Sequence, residues 1–330
     1  MIALLIELIE ANLAAAAAIL AVMAARKQVH RLLGPGAAYL LWAVVPAAMV
    51  ATFVPSRTIL VTDDTAGLSG AFWNAALSPA AVAVLVLVWI AGFAVMAASM
   101  VKRQRLFVRD MELGTAGPAV VGFFYPSIVT PSDFADRFSP YEQKLILAHE
   151  QVHLERYDAR INALVALARC LCWFNPLIHA GAKSLRADQE LSCDAAVIER
   201  RPKARRAYAE TLLKTQLAER PLPVGCYWPA GTLHPLTERI GMLTRSPFSD
   251  GRRLAAAAAV LALVGGGGFA AWAAQPAREV LTSAPDVFIT FDPIVTDEMP
   301  GLRVRLLPGS SFRVLNETDG APDETSPATP

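Results

Sequence analysis

The chain has 330 residues, 54% of them hydrophobic and only 18% charged, with a mean hydropathy of +0.40. A soluble domain carries about a quarter charged residues, so this balance excludes a wholly soluble protein and points to one that keeps part of itself in lipid. Thirty basic residues against twenty-nine acidic ones leave +1, and there are four cysteines; the first excludes a bulk charge signature for direct nucleic-acid binding, the second a disulfide-stapled secreted scaffold.

Four stretches are long and apolar enough to span about 30 Å of hydrocarbon, which takes roughly twenty helical residues. Met1 to Ala25 is interrupted by Glu7, Glu10 and Asn12 and ends at Arg26 and Lys27. Gly34 to Pro55 carries no charge. Pro79 to Val101 stops at Lys102, Arg103 and Arg105, and Leu254 to Gln275 follows Arg252 and Arg253. The positive-inside rule then predicts an outer N-terminus, an inner turn from Arg26 to Gly34 and an outer loop from Ser56 to Ser78. It makes Lys102 to Arg253 cytoplasmic and returns the tail from Pro276 to the outside. A cleaved signal peptide is the alternative for the first stretch, but its first ten residues are acidic where a signal needs basic ones. The fourth also reads as an internal signal, with Gly265 to Gly268 and a cleavage site at Ala271-Trp272-Ala273; a transmembrane helix with small packing residues is the simpler account.

The expected organisation is a mainly α integral membrane protein. Residues 1–101 form a three-helix membrane region, 102–253 a cytoplasmic α+β domain, 254–275 a fourth transmembrane helix, and 276–330 a short extracytoplasmic tail. The last residues, Asn316 to Pro330, are polar and low in complexity and are expected to be disordered.

The chemistry concentrates in Leu147-Ala148-His149-Glu150-Gln151-Val152-His153. Two histidines four apart on a helix share a face, so both imidazoles can reach one metal ion. A glutamate directly after the first is placed to take a proton from a metal-activated water. Ser139-Pro140-Tyr141-Glu142 reads as the helix start, with Ser139 at the N-cap, Pro140 at N1 and Glu142 closing a capping box. A third ligand is needed. Arg156 and Ala159 occupy the positions where a metzincin has Gly and His, which excludes that class, and downstream acids remain. Glu190 stands out on a predicted helix, with Asp194 one turn further on to support a histidine or the ligand.

The order of spans, His149-Glu150-x-x-His153, Arg156 and Asp158, Trp173-Phe174-Asn175-Pro176-Leu177, then Glu190-x-x-Cys193-Asp194 resembles the BlaR/MecR family of membrane-embedded zinc metallopeptidases, over residues 1 to 275. The resemblance implies a gluzincin-like domain with Zn2+ on His149, His153 and Glu190, Glu150 as general base, and Asp158 and Asp194 as outer supports. It also implies that Gly122 to Pro131 resembles the edge strand that aligns substrate, where an extended peptide pairs by β-augmentation. One departure is large. Receptors of the family that sense β-lactams carry an extracellular penicillin-binding domain after the fourth span; only residues 276–330 follow here, without Ser-x-x-Lys, and the match Ser99 to Lys102 lies at the end of the third span. Covalent β-lactam sensing is therefore not expected.

Plainer readings stand beside these. His149 and His153 read otherwise as helix histidines, and Glu190 as a surface acid beside Asp188 and Glu199. His179 and His234 are candidates for transition-state donors but read better as structural or exposed. Cys170, Cys172 and Cys193 read as reduced, packed thiols. The basic run Arg200, Arg201, Lys203, Arg205 and Arg206 reads as a solvated helix face, with lipid headgroups the best alternative. Ile161 to Ala182 is apolar enough for a fifth span, but Arg169, Asn175 and Pro176 break it, and a single crossing there would part His153 from Glu190.

The function this implies is regulated cleavage, on the inner side of a bacterial cell membrane, of a winged-helix BlaI/MecI-like repressor or of the chain itself. A constitutive quality-control protease, similar in motif to the Ste24/HtpX type, is the alternative, as is a non-proteolytic scaffold with a vestigial metal site. A homodimer stays open. Two β-like pieces of the tail, Asp286 to Phe291 and Leu302 to Leu307, are too short for a domain of their own and are expected to pair with each other, a partner or the Ser56 to Ser78 loop.

Overall fold

A computed structural model of the chain describes residues 2–61, 78–216, 234–244 and 249–281. In chain order the elements are α1 (Ile2–Leu32), α2 (Pro35–Leu41), α3 (Val44–Ala51), β1 (Thr58–Val61) and α4 (Pro79–Glu112). A hairpin of β2 (Ala119–Val121) and β3 (Ser127–Val129) follows, then α5 (Phe134–Arg137), α6 (Pro140–Glu155), α7 (Asp158–Leu171) and α8 (Pro176–Arg200). Last come a 3-10 turn (Pro202–Ala204), α9 (Arg205–Gln216), α10 (His234–Leu243), α11 (Asp250–Ala273) and β4 (Arg278–Leu281). The chain forms two compact units, Met1–Ser56 with Ala80–Gln275, and Arg57–Pro79 with Pro276–Pro330.

Among the described residues three helices are long and apolar enough to cross a membrane: Ile6–Leu32, Pro79–Glu112 and Gly251–Ala273. They correspond to the first, third and fourth expected spans. Their outward faces are apolar, with Leu87 and Val95 on α4 and Leu261 and Phe269 on α11 all exposed, as lipid contact requires. The second expected span, Gly34 to Pro55, is instead two short helices, α2 and α3, with Trp42 and Ala43 between them. Pro46 is the reason. It has no N–H to give the Trp42 carbonyl and its ring crowds that oxygen, so Val45 N–H donates to Trp42 O three residues back and the helix restarts.

The larger core lies between the membrane helices and α8. Ala15, Ile19 and Val22 of α1, Ala38 of α2, Trp42 just after it, Ala48 of α3, Ile178 and Leu185 of α8, and Ala256 and Val260 of α11 pack together. Gly181 permits the approach: a Cβ there would meet Ile19 at 3.1 Å. Asn12, which interrupts the apolar run of α1, is buried and accepts a hydrogen bond from Asn175 Nδ2 at 2.8 Å. A second core joins Leu145 and Val152 of α6, Cys193, Val197 and Ile198 of α8, Tyr208 of α9 and Leu243 of α10. The helix pair that carries the candidate site is thus packed on one side by membrane helices and on the other by α9 and α10.

Local chemistry sets the helix ends. Ser139 Oγ accepts from Glu142 N while Glu142 Oε2 accepts from Ser139 N, with Pro140 at N1. Asn175 caps α8 through Leu177 N, with Pro176 at N1; the turn there divides the apolar run Ile161 to Ala182 between α7 and α8. Gly122, at φ 108°, turns the chain out of β2, and a Cβ would strike Tyr125 O. The expected strand Gly122 to Pro131 is therefore the hairpin turn followed by β3, which pairs antiparallel with β2.

In the other unit β1 pairs in parallel with β4, Thr58 opposite Arg278 through Val61 opposite Leu281. The loop after the second stretch thus joins the start of the tail. The pieces Asp286 to Phe291 and Leu302 to Leu307 lie outside the described residues.

Candidate metal centre

α6 presents His149 and His153, and α8 presents Glu190 and Asp194, each pair one turn apart. The two Nε2 atoms lie 3.1 Å apart. Glu190 Oε2 is 3.3 Å from His149 Nε2, and Oε1 is 3.6 Å from His153 Nε2. Tetrahedral zinc with bonds of about 2.0–2.1 Å separates its ligand atoms by about 3.3 Å. The donors converge at that spacing, and two imidazoles with one carboxylate leave a fourth position open. These residues fit a zinc ion.

The remaining ring nitrogens are fixed from behind. Asp158 Oδ2 is 2.7 Å from His153 Nδ1. Tyr208 O–H donates to Asp194 Oδ1 at 2.6 Å, and its oxygen lies 2.8 Å from His149 Nδ1. Asp194 Oδ1 is also 3.3 Å from that nitrogen. With Nδ1 the donor in each ring, both Nε2 lone pairs face the shared point. The turn that brings Asp158 back to His153 holds Tyr157 at φ 57°, a left-handed conformation costly for a side chain of this size. The Arg160 guanidinium lies 4.5 Å from the Tyr157 ring centre.

Electrostatics favour a cation here. Burial works to lower the His149 pKa, yet Asp194 and Glu190 outweigh it and hold it up at about 10. Burial pushes Glu190 up, and Arg239 and the histidines hold it well below the usual carboxylate range. Glu150 lines the same cavity as His149, His153, Glu190 and Arg239; burial raises its carboxyl against the pull of both histidines. A carboxyl raised from its ordinary value beside this cluster is suited to proton transfer.

Tyr208, Arg239 and Tyr39 escaped the sequence reading. Arg239 of α10, buried, donates to Asp194 at 2.7 and 2.8 Å and lies 3.1 Å from Glu190 Oε2. Tyr39 of α2 donates to Asp158 Oδ1 at 2.7 Å. No local pattern announces these partners; each comes from a different helix than the group it holds. Asp188, which reads as one more surface acid, is wholly buried on the membrane-helix side of α8.

The other expected sites lie elsewhere. His179 faces Trp173 O at 2.9 Å and accepts from Arg169 Nε at 3.2 Å, away from the cluster. The side chain of His234 lies outside the described residues. Cys170, Cys172 and Cys193 are free and buried. Cys193 Sγ comes within 3.4 Å of His153 Nδ1, but burial and Asp158 hold its thiol well above the ordinary range, so it stays protonated and packed. In the basic run Arg200 pairs with Glu155 at 2.6 Å, Arg206 with Glu210 at 2.9 Å, and Arg201 donates to Lys144 O. The strand residues that border the cavity are Ala119 and Val120 of β2, preceded by Gly117 and Pro118; the stretch Gly122 to Pro131 lies beyond them.

Known proteins point the same way. The chain is 37% identical over 98 residues to the regulatory protein BlaR1 of Bacillus licheniformis, covering 29% of this chain and 16% of that protein. It is 28% identical over 103 residues to the methicillin resistance mecR1 protein of Staphylococcus aureus, and equally to that of Staphylococcus epidermidis, covering 30% of this chain and 17% of each. The matched part therefore spans about a sixth of these relatives. No solved structure matches the chain. The family model described as BlaR1 peptidase M56 matches residues 6–79 and 61–243, well over half of the chain. With its apolar helices and its His149-Glu150-x-x-His153 helix, this membrane protein belongs to the BlaR1 peptidase M56 family.

Proposed function

We propose that the chain is an integral membrane zinc metalloendopeptidase acting on the cytoplasmic side. The observation that carries this reading is the convergence of His149 Nε2, His153 Nε2 and the Glu190 carboxylate within 4.8 Å, with Glu150 on the same helix. His149, His153 and Glu190 would hold zinc. When bound, that ion supplies Lewis acidity toward a water and a scissile carbonyl. Glu150 takes the water's proton and passes it to the leaving amine. Asp158, Asp194 and Tyr208 fix the imidazole rings, and Arg239 orients Glu190. The edge of β2 that no strand pairs with among the described residues, whose Ala119 and Val120 border the cavity, offers backbone groups to an extended peptide.

The topology that fits has four crossings, the second made by α2 and α3, with the N-terminus and tail outside. It sets the loop that bears β1 and the tail that bears β4 on one face of the membrane, in keeping with their pairing. The Bacillus relative is named a regulatory protein and the staphylococcal ones methicillin resistance proteins; these names support a role in signal transduction, with a winged-helix repressor or the chain itself as substrate.

Zinc analysis of the purified protein and its variants tests the site. Wild-type protein should hold one zinc, His149→Ala none, and Glu150→Gln one zinc without cleavage of any cytoplasmic protein by proteomics. Full zinc in His149→Ala would dismiss the metal site. Zinc loss in Glu150→Gln would remove Glu150 from the role of base.

A further inference from the structure

Two buried contacts link the membrane side to the metal site, one on the helix that carries Glu190 and one on the residue behind His153, and neither supplies a ligand atom. The first runs through Asp188, on the same helix as Glu190 and two residues before it. Its carboxylate is fully buried and receives Arg26 Nε at 2.9 Å and Nη2 at 2.6 Å from α1, with His30 Nε2 at 2.9 Å, also from α1. Arg26 Nη2 and His30 meet Oδ1, while Trp42 Nε1, where α2 ends, donates at 2.7 Å to Oδ2, the oxygen that Arg26 Nε also reaches. The second runs through Tyr39 of α2, whose hydroxyl donates to Asp158 Oδ1 at 2.7 Å while Asp158 Oδ2 holds His153 Nδ1 at 2.7 Å. Gln189, between Asp188 and Glu190, donates to the same Tyr39 hydroxyl at 3.2 Å.

A carboxylate buried this deeply persists only because charge-assisted donors surround it, and here every donor comes from the membrane side. Its direction is fixed by helical geometry. Asp188 and Glu190 lie about 200° apart around α8, so the helix turns one acid to the membrane helices and the other to the metal point. Tyr39 acts one bond earlier, on the oxygen of Asp158 that His153 does not use.

We propose that Tyr39 and Asp188 form a two-point latch through which α1 and α2 set the geometry of the metal site, Tyr39 as the positioning residue for His153 and Asp188 for Glu190. The latch rests on the zinc reading proposed above. It makes the position of the membrane helices an input to the site: a shift of α1 or α2 moves a ligand on α6 and another on α8 together.

The test uses the full chain in lipid nanodiscs, with zinc affinity measured by chelator competition and the visible spectrum of the cobalt-loaded protein. Tyr39→Phe keeps the ring and removes the one donor to Asp158; it should weaken zinc about tenfold, the lower end of the range for partners behind a ligand, and alter the cobalt bands. Asp188→Asn should do the same through Glu190, and the double variant should exceed either. If Asp188→Asn does not fold, Tyr39→Phe and Trp42→Phe carry the test. Zinc affinity within twofold of wild type and an unchanged cobalt spectrum in Tyr39→Phe would overturn the latch. His149→Ala separates the two ideas: undiminished zinc there defeats the metal reading itself, whereas loss of zinc there with an unaltered Tyr39→Phe defeats only the latch.

Discussion

Arg239 holds Asp194 through two hydrogen bonds, 2.7 Å from Nε and 2.8 Å from Nη2, across two helices 45 residues apart. The same guanidinium reaches Glu190 Oε2 at 3.1 Å, so one buried cation serves both acids of the α8 face. Breaking a buried pair by removing one partner costs about 3–5 kcal/mol, because the remaining charge is stranded.

Arg239→Met should therefore destabilise the metal-free protein by about that amount. A divalent cation among the same acids restores part of the missing charge, so zinc should raise the melting temperature of the variant by more than it raises that of wild type. Melting curves of both proteins with and without zinc check this. An equal rise in the two would mean that Arg239 does not share the field of the metal site.

The start of α6 gives a prediction with a pH sign. Lys214 Nζ, at 2.9 Å, and the backbone N–H of Ser139, at 2.7 Å, lower the Glu142 pKa below its ordinary value. A carboxyl with a depressed folded pKa adds stability above its unfolded pKa, about 4.3, and loses it as pH falls through the folded value. Wild type should therefore exceed Glu142→Gln in stability near pH 7, by less than about 1 kcal/mol because the pair is solvent-screened. The gap should close toward pH 3. Ser139→Ala should cost about 1 kcal/mol at every pH where Glu142 is charged. Denaturant unfolding across pH 3–7 measures both, and a gap that widens in acid would reverse the assignment.

What the sequence made legible was local. His149 and His153 share a face because they are four apart on one helix, and Ser139 and Glu142 announce where it starts. Asp194 follows Glu190 by the same spacing, so once α8 is recognised both acids come with it. Arg239 and Tyr39 belong to packing between helices far apart in the chain, Tyr208 to packing of α9 on α6 and α8, and nothing in their neighbours marks them. Asp188 looked like a surface acid because its donors, Arg26, His30 and Trp42, lie about 150 residues upstream. The run Gly34 to Pro55 is legible only in part: hydropathy sees its length, while Pro46 decides where its helix breaks.

Gly92 holds α4 against the rest of its unit. A Cβ at that position would run into the indole of Trp173, while Trp89 Nε1 donates to Leu171 O at 2.8 Å and Trp173 Nε1 to Trp89 O at 3.2 Å. Gly92→Ala should overpack this notch and cost about 1–3 kcal/mol. In a Trp173→Ala background the same substitution should be nearly free, because the obstacle is gone. Coupling of this kind is what a double-mutant cycle isolates; an identical cost in both backgrounds would show that the indole does not fill the notch.

The pairing of β1 with β4 is the contact least visible to local pattern, since parallel strands need a long crossover and here the intervening chain runs from residue 62 to 277. Leu60 lies opposite Val280, and neighbouring strands run about 4.8 Å apart, within the Cα separation a disulfide accepts. In a background without native cysteines, Leu60→Cys with Val280→Cys should cross-link under mild oxidation. Leu60→Cys with Arg278→Cys should link far less, because two residues of offset add roughly 6.6 Å along the strand. A membrane-impermeant oxidant applied to spheroplasts adds the side of the membrane: cross-linking from outside supports the outer loop and tail, whereas cross-linking only after lysis would invert the topology and put the metal site outside.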